Sequence, residues 1–402
     1  MDSLQILFVS PYLPSLIRVR PYNFIKFLAE RGHQVTLLAL EPPKEDTSSL
    51  TSLRQWCQQV HTVPLSHWRT LWNGVQAIPG QTPFQAAYSR SPQMNALIRQ
   101  IQNQNSFDVV HIEHLRGAEL ARAVNGTPIV FDSVDSITLL FERVLQAGPT
   151  WRSRLIAWLD LARTRRYEGR FLERFQRVLV TSPHDRDTMT KLAGASNQEN
   201  RLVVLPNGVD LDYFHPLDIP RNPATLVFTG KMSYHANVAA ALDLATQVMP
   251  LVWQRVPEAR LAIVGKDPTA ELLALTADPR IIVTGTVPDM RPHLAQATVA
   301  VSPMRYGVGI QNKVLEAMAM GAPVISTPQA VSALQIKPGH EVLVTDSAEA
   351  MAKAVAAVLT DAELRQRLGQ AGRCYVETHH DWKAAAAKLE AIYRKVILET
   401  KQ

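Results

Sequence analysis

Short apolar runs alternate with amphipathic stretches along this chain. Leu4-Gln5-Ile6-Leu7-Phe8-Val9 reads as a strand buried on both faces, Arg20 to Arg31 as a helix closed by Gly32, and Gln34 to Leu40 as the next strand. Asp108 to Glu113, Pro128 to Asp132 and Val178 to Ser182 continue the series, with a helix from Pro183. Arg201 to Leu205 leads into Pro206-Asn207-Gly208-Val209-Asp210, where an Asn-Gly pair tolerates positive φ, and there the rhythm restarts. Leu226 to Thr229, Leu261 to Val264, Ile281 to Thr284, Val299 to Ser302 and Ala322 to Ser326 are the later predicted strands. Helices through Ala239 to Val248, near Ala270 and ending near Ala297 separate them. Regular alternation predicts an α/β protein with doubly wound parallel sheets and helices on both faces. We read an N-terminal domain over 1–205, a second over 206–380, and an alanine- and leucine-rich terminal helix over 381–402.

The stretch from Val299 to Thr327 concentrates the candidate chemistry. Between its two strands, Leu315, Met318 and Ala319 recur at helical spacing, and Gly321 falls where a left-handed C-terminal cap is wanted. Gly307-Val308-Gly309 enters that helix. Bare backbone amides and the positive end of the helix dipole favour a phosphate there without a catalytic side chain. Glu316, one turn further in, is placed to accept hydrogen bonds from a ribose diol, and a solvated surface role is the alternative. Three other predicted strands exit through glycine, at Gly230-Lys231, Gly265-Lys266 and Gly285-Thr286, a pattern that suits a diphosphate. Lys313 is a second cation in the helix's first turn. It either faces the ligand or pairs with Glu316 on the surface.

In the first half, the turn Ser10 to Ser15 has no glycine, which argues against a dinucleotide fingerprint and a dehydrogenase. The strand at Asp108 exits at His114-Leu115-Arg116, at the carboxyl edge where open α/β sheets bind ligands. Asp132 and Asp135 form a carboxylate pair at the next exit, for an acceptor or for helix capping by Asp135 or Ser136.

Composition narrows the class. A chain of 402 residues, 46% apolar and 19% charged, supports two cores. The net charge of +6 comes without basic runs interleaved with aromatics, so no nucleic-acid partner is expected. Cys57 and Cys374 make neither a disulfide framework nor a zinc spacing, and no Asp-x-Asp cluster lies near a glycine loop, so no metal is expected. The N-terminus lacks a signal pattern and no segment is long enough to span a bilayer, which points to a cytoplasmic protein. Eight arginines from Trp151 to Arg177, interleaved with Trp151, Leu155, Trp158 and Leu159, could lie on an anionic bilayer at the inner membrane face. Asp160, Glu168 and Glu173 dilute that charge, and a solvated helix covering the sheet is the other reading.

Leu315 to Val324 resembles, residue for residue, the donor signature Leu-Glu-Ala-Met-Ala-x-Gly-x-Pro-Val of glycosyltransferase family 4. These are retaining nucleotide-sugar transferases whose GT-B fold sets two Rossmann-like domains across a cleft. Pro206 to Asp210 also resembles the family's interdomain segment. The family's leading glutamate is replaced by Val308, and Gly309-Ile310-Gln311-Asn312-Lys313 resembles a branch found among exopolysaccharide sugar transferases. The resemblance implies transfer from a nucleotide diphosphate sugar, a co-substrate rather than a cofactor, to a glycan or lipid-linked hydroxyl. It makes His114, Lys231 and Lys313 the catalytic candidates. Donor binding falls to Gly230, Gly265, Thr286, Val287, Gly309, Ile310, Gln311, Asn312 and Glu316. The family's second basic residue would fall at Ala236 and is absent. A nucleotide-sugar epimerase of the same fold, or a nucleotide-sugar-binding protein without turnover, is the alternative.

Overall fold

A computed structural model describes residues 2–42, 47–147, 151–194, 199–305 and 310–401. The chain divides into two compact units, Met1–Pro206 with Trp382–Gln402, and Asn207–Asp381. The first is built on β1 (Gln5–Ser10), β2 (Gln34–Glu41), β3 (Gln59–Pro64), β4 (Val109–Glu113), β5 (Ile129–Val134), β6 (Arg177–Val180) and β7 (Leu202–Val204). All pairings are parallel, in the order β3-β2-β1-β4-β5-β6-β7. The second unit holds β8 (Thr225–Thr229), β9 (Arg260–Val264), β10 (Ile281–Val283), β11 (Val299–Ser302), β12 (Val324–Ser326) and β13 (Leu343–Val344), again parallel, ordered β10-β9-β8-β11-β12-β13.

The winding direction reverses between β1 and β4 and between β8 and β11. At such a switch point the flanking helices leave to opposite faces, and a crevice opens beyond the carboxyl ends of the strands. Each sheet is covered on both sides by its own apolar clusters. In the first unit, Phe131, Phe171 and Phe175 fill one face. Phe8, Phe24, Trp382 and Tyr393 fill the other, the last two carried in by helix Trp382–Thr400.

Several elements differ from the sequence pattern. The arginine-rich segment is not one helix to Arg177. Helix Trp151–Gly169 stops, a single turn covers Phe171–Arg174, and Arg177 opens β6. Burying Phe171 and Phe175 against Phe131, with ring centroids 4.6 and 4.4 Å away, outweighs helical continuity. Strand β3 went unread because an edge strand reading Gln-Val-His-Thr-Val-Pro is only half buried and lacks a continuous apolar run. The helix expected from Ala239 begins at His235 and passes through a π turn at Leu244–Val248 into Met249–Trp253, where Pro250 has no N–H for the usual ladder. The Asn207-Gly208 turn uses no positive φ. It is held by the Asn207 carbonyl, 2.7 Å from His380 Nδ1, and by Val209 N–H donating to the His380 carbonyl.

Candidate functional site

The second unit's crevice begins with two glycines. Gly230 after β8 and Gly265 after β9 have φ of +154° and +150°. A Cβ on Gly265 would lie 1.7 Å from the Gly230 carbonyl oxygen, so the two turns pack backbone on backbone. Beyond β11, helix Asn312–Ala319 starts at Gln311, which puts no side-chain acceptor on the first-turn amides. Ile310 is buried in the core beneath, and Asn312 Oδ1 lies 3.5 Å from Asn207 Nδ2. Gly307, Val308 and Gly309 lie outside the described residues.

Lys313 does not pair with Glu316. Its ammonium donates to Asn237 Oδ1 at 2.5 Å, sits 4.7 Å from the Phe228 ring centroid and lies beside the Gly230 turn. Asn237 Nδ2 in turn donates to the Lys231 carbonyl at 2.9 Å, so one amide ties the helix to the β8 turn. Burial lowers the Lys313 ammonium to about 8, against the attraction of Glu316. Burial raises Glu316 to about 7, against the attraction of Lys313. Both are held away from their ordinary ionisation in a half-enclosed place, which is where ligand chemistry is commonly arranged. Lys231 is more open, with Nζ 3.8 Å from Asp267 Oδ2. Thr286 is exposed and Val287 half buried after the left-handed Gly285 turn, φ +68°. A cavity of about 430 Å³ opens beside the carboxyl ends of β11, β12 and β13, lined by Met304, Arg305, Thr327 and Asp346.

The first unit's switch point carries a separate cluster. Glu113, the last residue of β4, is buried and receives the Ser10 hydroxyl at 3.2 Å and the Tyr12 hydroxyl at 3.1 Å. Burial, with Asp132 adding to it, pushes its carboxyl up to about 8. His114 follows at φ +64°, a conformation costing a non-glycine residue about 1 kcal/mol or more. Its Nδ1 accepts the Arg116 N–H at 3.2 Å, which leaves Nε2 as the donor atom. Burial, helped by Arg116 and Arg18, holds the imidazole down near 3, so at neutral pH it is a neutral hydrogen-bond donor. Asp132 binds Arg20 at 2.7 Å in the interior. Asp135 does not cap a helix. It accepts the Thr181 hydroxyl, and Ser136 caps by accepting the Leu139 N–H.

Sequence reasoning missed Asn237, Glu113 and Tyr12. Asn237 had one visible signal, a lone polar residue in the run Ala236 to Leu242. Ala236 itself is buried in the core. Among the described residues no group of three or more His, Cys, Asp or Glu could hold a metal ion. Cys57 and Cys374 are free thiols, and burial pushes the former up to about 12.

Comparison with known proteins bears on both units. A model described as glycosyltransferase family 4 matches residues 18–213, and one described as glycosyl transferases group 1 matches 223–361. A GDP-mannose-dependent alpha-(1-6)-phosphatidylinositol monomannoside mannosyltransferase of Mycobacterium tuberculosis is 31% identical over 232 residues. That match covers 52% of this chain and 59% of the relative, so it spans little more than half the relative's length. Among solved structures, sucrose-phosphate synthase of Thermosynechococcus elongatus superposes with TM-score 0.74 at 17% identity, over 98% of this chain and 100% of that one. Anabaena HepE in complex with UDP-glucose gives 0.68 at 12%, over 97% and 100%. One model on each unit and a shared two-sheet fold agree: the chain belongs to the family 4 glycosyltransferases of GT-B fold.

Proposed function

We propose that the chain transfers a hexosyl group from a nucleoside diphosphate sugar to a hydroxyl of a glycan or lipid-linked acceptor, with retention. The observation that carries this is the Lys313, Asn237 and Glu316 constellation beside the Gly230 and Gly265 turns. The acceptor oxygen bonds to the anomeric carbon as the bond to the diphosphate breaks. The electron pair leaves with the diphosphate, which takes up the hydroxyl proton. Negative charge therefore grows on the phosphate oxygens. A preorganised ammonium in a half-dry place stabilises it better than water does. Lys313 is fixed there by Asn237, and an anion beside it returns its ammonium toward full protonation. Lys231, the Gly230 and Gly265 backbones and the amides of Gly309, Ile310, Gln311 and Asn312 hold the rest of the diphosphate. Glu316 accepts from the ribose diol and the Thr286-Val287 backbone receives the base, while in the first unit His114 has Nε2–H to offer to a hydroxyl of the acceptor. Lysine and amide charge suffices without a divalent metal.

The relative's name specifies GDP-mannose, so that donor comes first. At a hundredfold excess over Kd a bound donor stabilises by about 2.7 kcal/mol, or roughly 5–10 °C in Tm for a domain of this size. Thermal shift with GDP-mannose, UDP-glucose and their free diphosphates, in EDTA, should give that rise for one donor. No rise with any, with or without added manganese, removes the proposal.

A further inference from the structure

Two helices of the first unit are turned inside out. Helix His67–Ala77 buries Asn73 and Ala77, and the Asn73 amide donates to the carbonyls of Tyr88 and Arg90 at 3.1 and 2.8 Å. Its apolar residues Trp68, Leu71, Trp72 and Val75, followed by Ile78, recur at helical spacing on the exposed side, Trp68 being 80% exposed. Helix Trp151–Gly169 repeats the inversion. It buries Ala157, Asp160, Thr164 and Glu168 and exposes Trp151, Leu155, Ile156, Trp158 and Leu159. A helix covering a globular core shows the opposite pattern.

The two faces adjoin. The Arg163 guanidinium of the second helix donates to the Ala77 and Ile78 carbonyls at the end of the first, at 3.3 and 2.7 Å. Monomers rarely expose so much contiguous apolar surface without a partner.

Charge decides which partner. Asp160 accepts the Phe84 N–H, and Glu168 accepts the Ser136 hydroxyl and the Ile137 and Thr138 N–H groups. Two of the three carboxylates that dilute the arginines in sequence are thus turned inward, and the third, the exposed Glu173, lies past this helix in the turn Phe171–Arg174. The outer charged residues of helix Trp151–Gly169 include Arg154, Arg165 and Arg166, with Arg165 on Glu142. Arg174 and Arg177 leave this face, for the Ala118 carbonyl and for Glu399. From Ser66 to Ile78 there is no carboxylate, and Arg69 adds a cation. Four exposed tryptophans with leucine, isoleucine and arginine match the boundary between lipid headgroups and acyl chains. A second copy of the chain would set these arginines against each other.

We propose that helices His67–Ala77 and Trp151–Gly169 form one face that docks on an anionic lipid bilayer. No helix among the described residues is long and apolar enough to cross a membrane, so the contact lies in the interface plane. The face is independent of the sugar site, and its test does not use activity as readout. Full-length protein is sedimented with neutral phosphatidylcholine vesicles and with vesicles containing phosphatidylglycerol, at low and high salt. We expect pelleting with the anionic vesicles and a blue shift of tryptophan fluorescence. Trp68→Ser with Trp72→Ser, and Trp151→Ser with Trp158→Ser, should each lower the partition coefficient at least tenfold without changing Tm. Wild-type protein left in the supernatant with both vesicle types overturns the proposal. So does a wild-type dimer in light scattering that either variant dissociates while vesicle binding persists.

Discussion

Burial puts opposite signs on the two charged groups of helix Asn312–Ala319, lowering Lys313 to about 8 and raising Glu316 to about 7. Glu316 is the charged acceptor only above about 7, and Lys313 the cation only below about 8. In the free protein kcat/KM should therefore peak between those values and fall on either side. Glu316→Gln keeps the shape but removes the acid-side ionisation and a charged hydrogen bond worth roughly 1.5–3 kcal/mol, about 10- to 150-fold in donor affinity. A pH–rate profile of the variant that keeps the acid limb would assign that limb to another group. Both residues could be named from sequence because they fall within one helical signature. The group that fixes Lys313 could not. Asn237 lies 76 positions away and meets Lys313 only because β8 and β11 are neighbours, a pairing that no local pattern encodes.

Strand ends rather than helices set the shape of the proposed diphosphate site, and glycine has two physical roles among them. At Gly265 an added Cβ meets the Gly230 carbonyl at 1.7 Å and φ is +150°; at Gly285 φ is +68° with nothing within 4 Å. Gly265→Ala combines backbone strain of about 1–3 kcal/mol with overpacking of about 1–3 kcal/mol, whereas Gly285→Ala incurs only the left-handed cost of about 1–2 kcal/mol. Urea unfolding should place the Gly265 variant well below the Gly285 variant in midpoint, and equal midpoints would mean the two turns do not press together. The glycine exits were legible as a pattern, and the contact between them was not, since it depends on β8 and β9 ending side by side. The same limit acted on the arginine-rich segment. Its composition was plain, but which residues faced inward was fixed by Phe84, Ser136 and Phe131 from distant elements.

Across the whole molecule, buried carboxyls outweigh the other shifted groups in the upper half of the neutral range. Glu113 in the first unit is raised to about 8 and Asp135 to about 7, and Glu316 in the second to about 7, each mainly by burial. Asp160 and Glu168 are pushed the same way. A carboxyl with a raised folded-state value holds its proton in the native protein and loses it on unfolding. Its stabilisation is complete below the ordinary carboxyl range and is lost as pH rises through the folded value. His111 and His114, lowered by burial to about 4 and about 3, act with the other sign, but only below about 6.5, where an unfolded imidazole gains its proton. Lys313, lowered to about 8, adds a compensating slope only above that value. Among the described residues the acids are the shifted groups that act between pH 6.5 and 8, so Tm should fall steadily across that window. Glu113→Gln, which keeps an oxygen to accept from Ser10 or Tyr12 but cannot ionise, should flatten the fall. Calorimetry showing a Tm that is level or rising from pH 6.5 to 8 in the wild type would mean these carboxyls are already ionised in the folded chain.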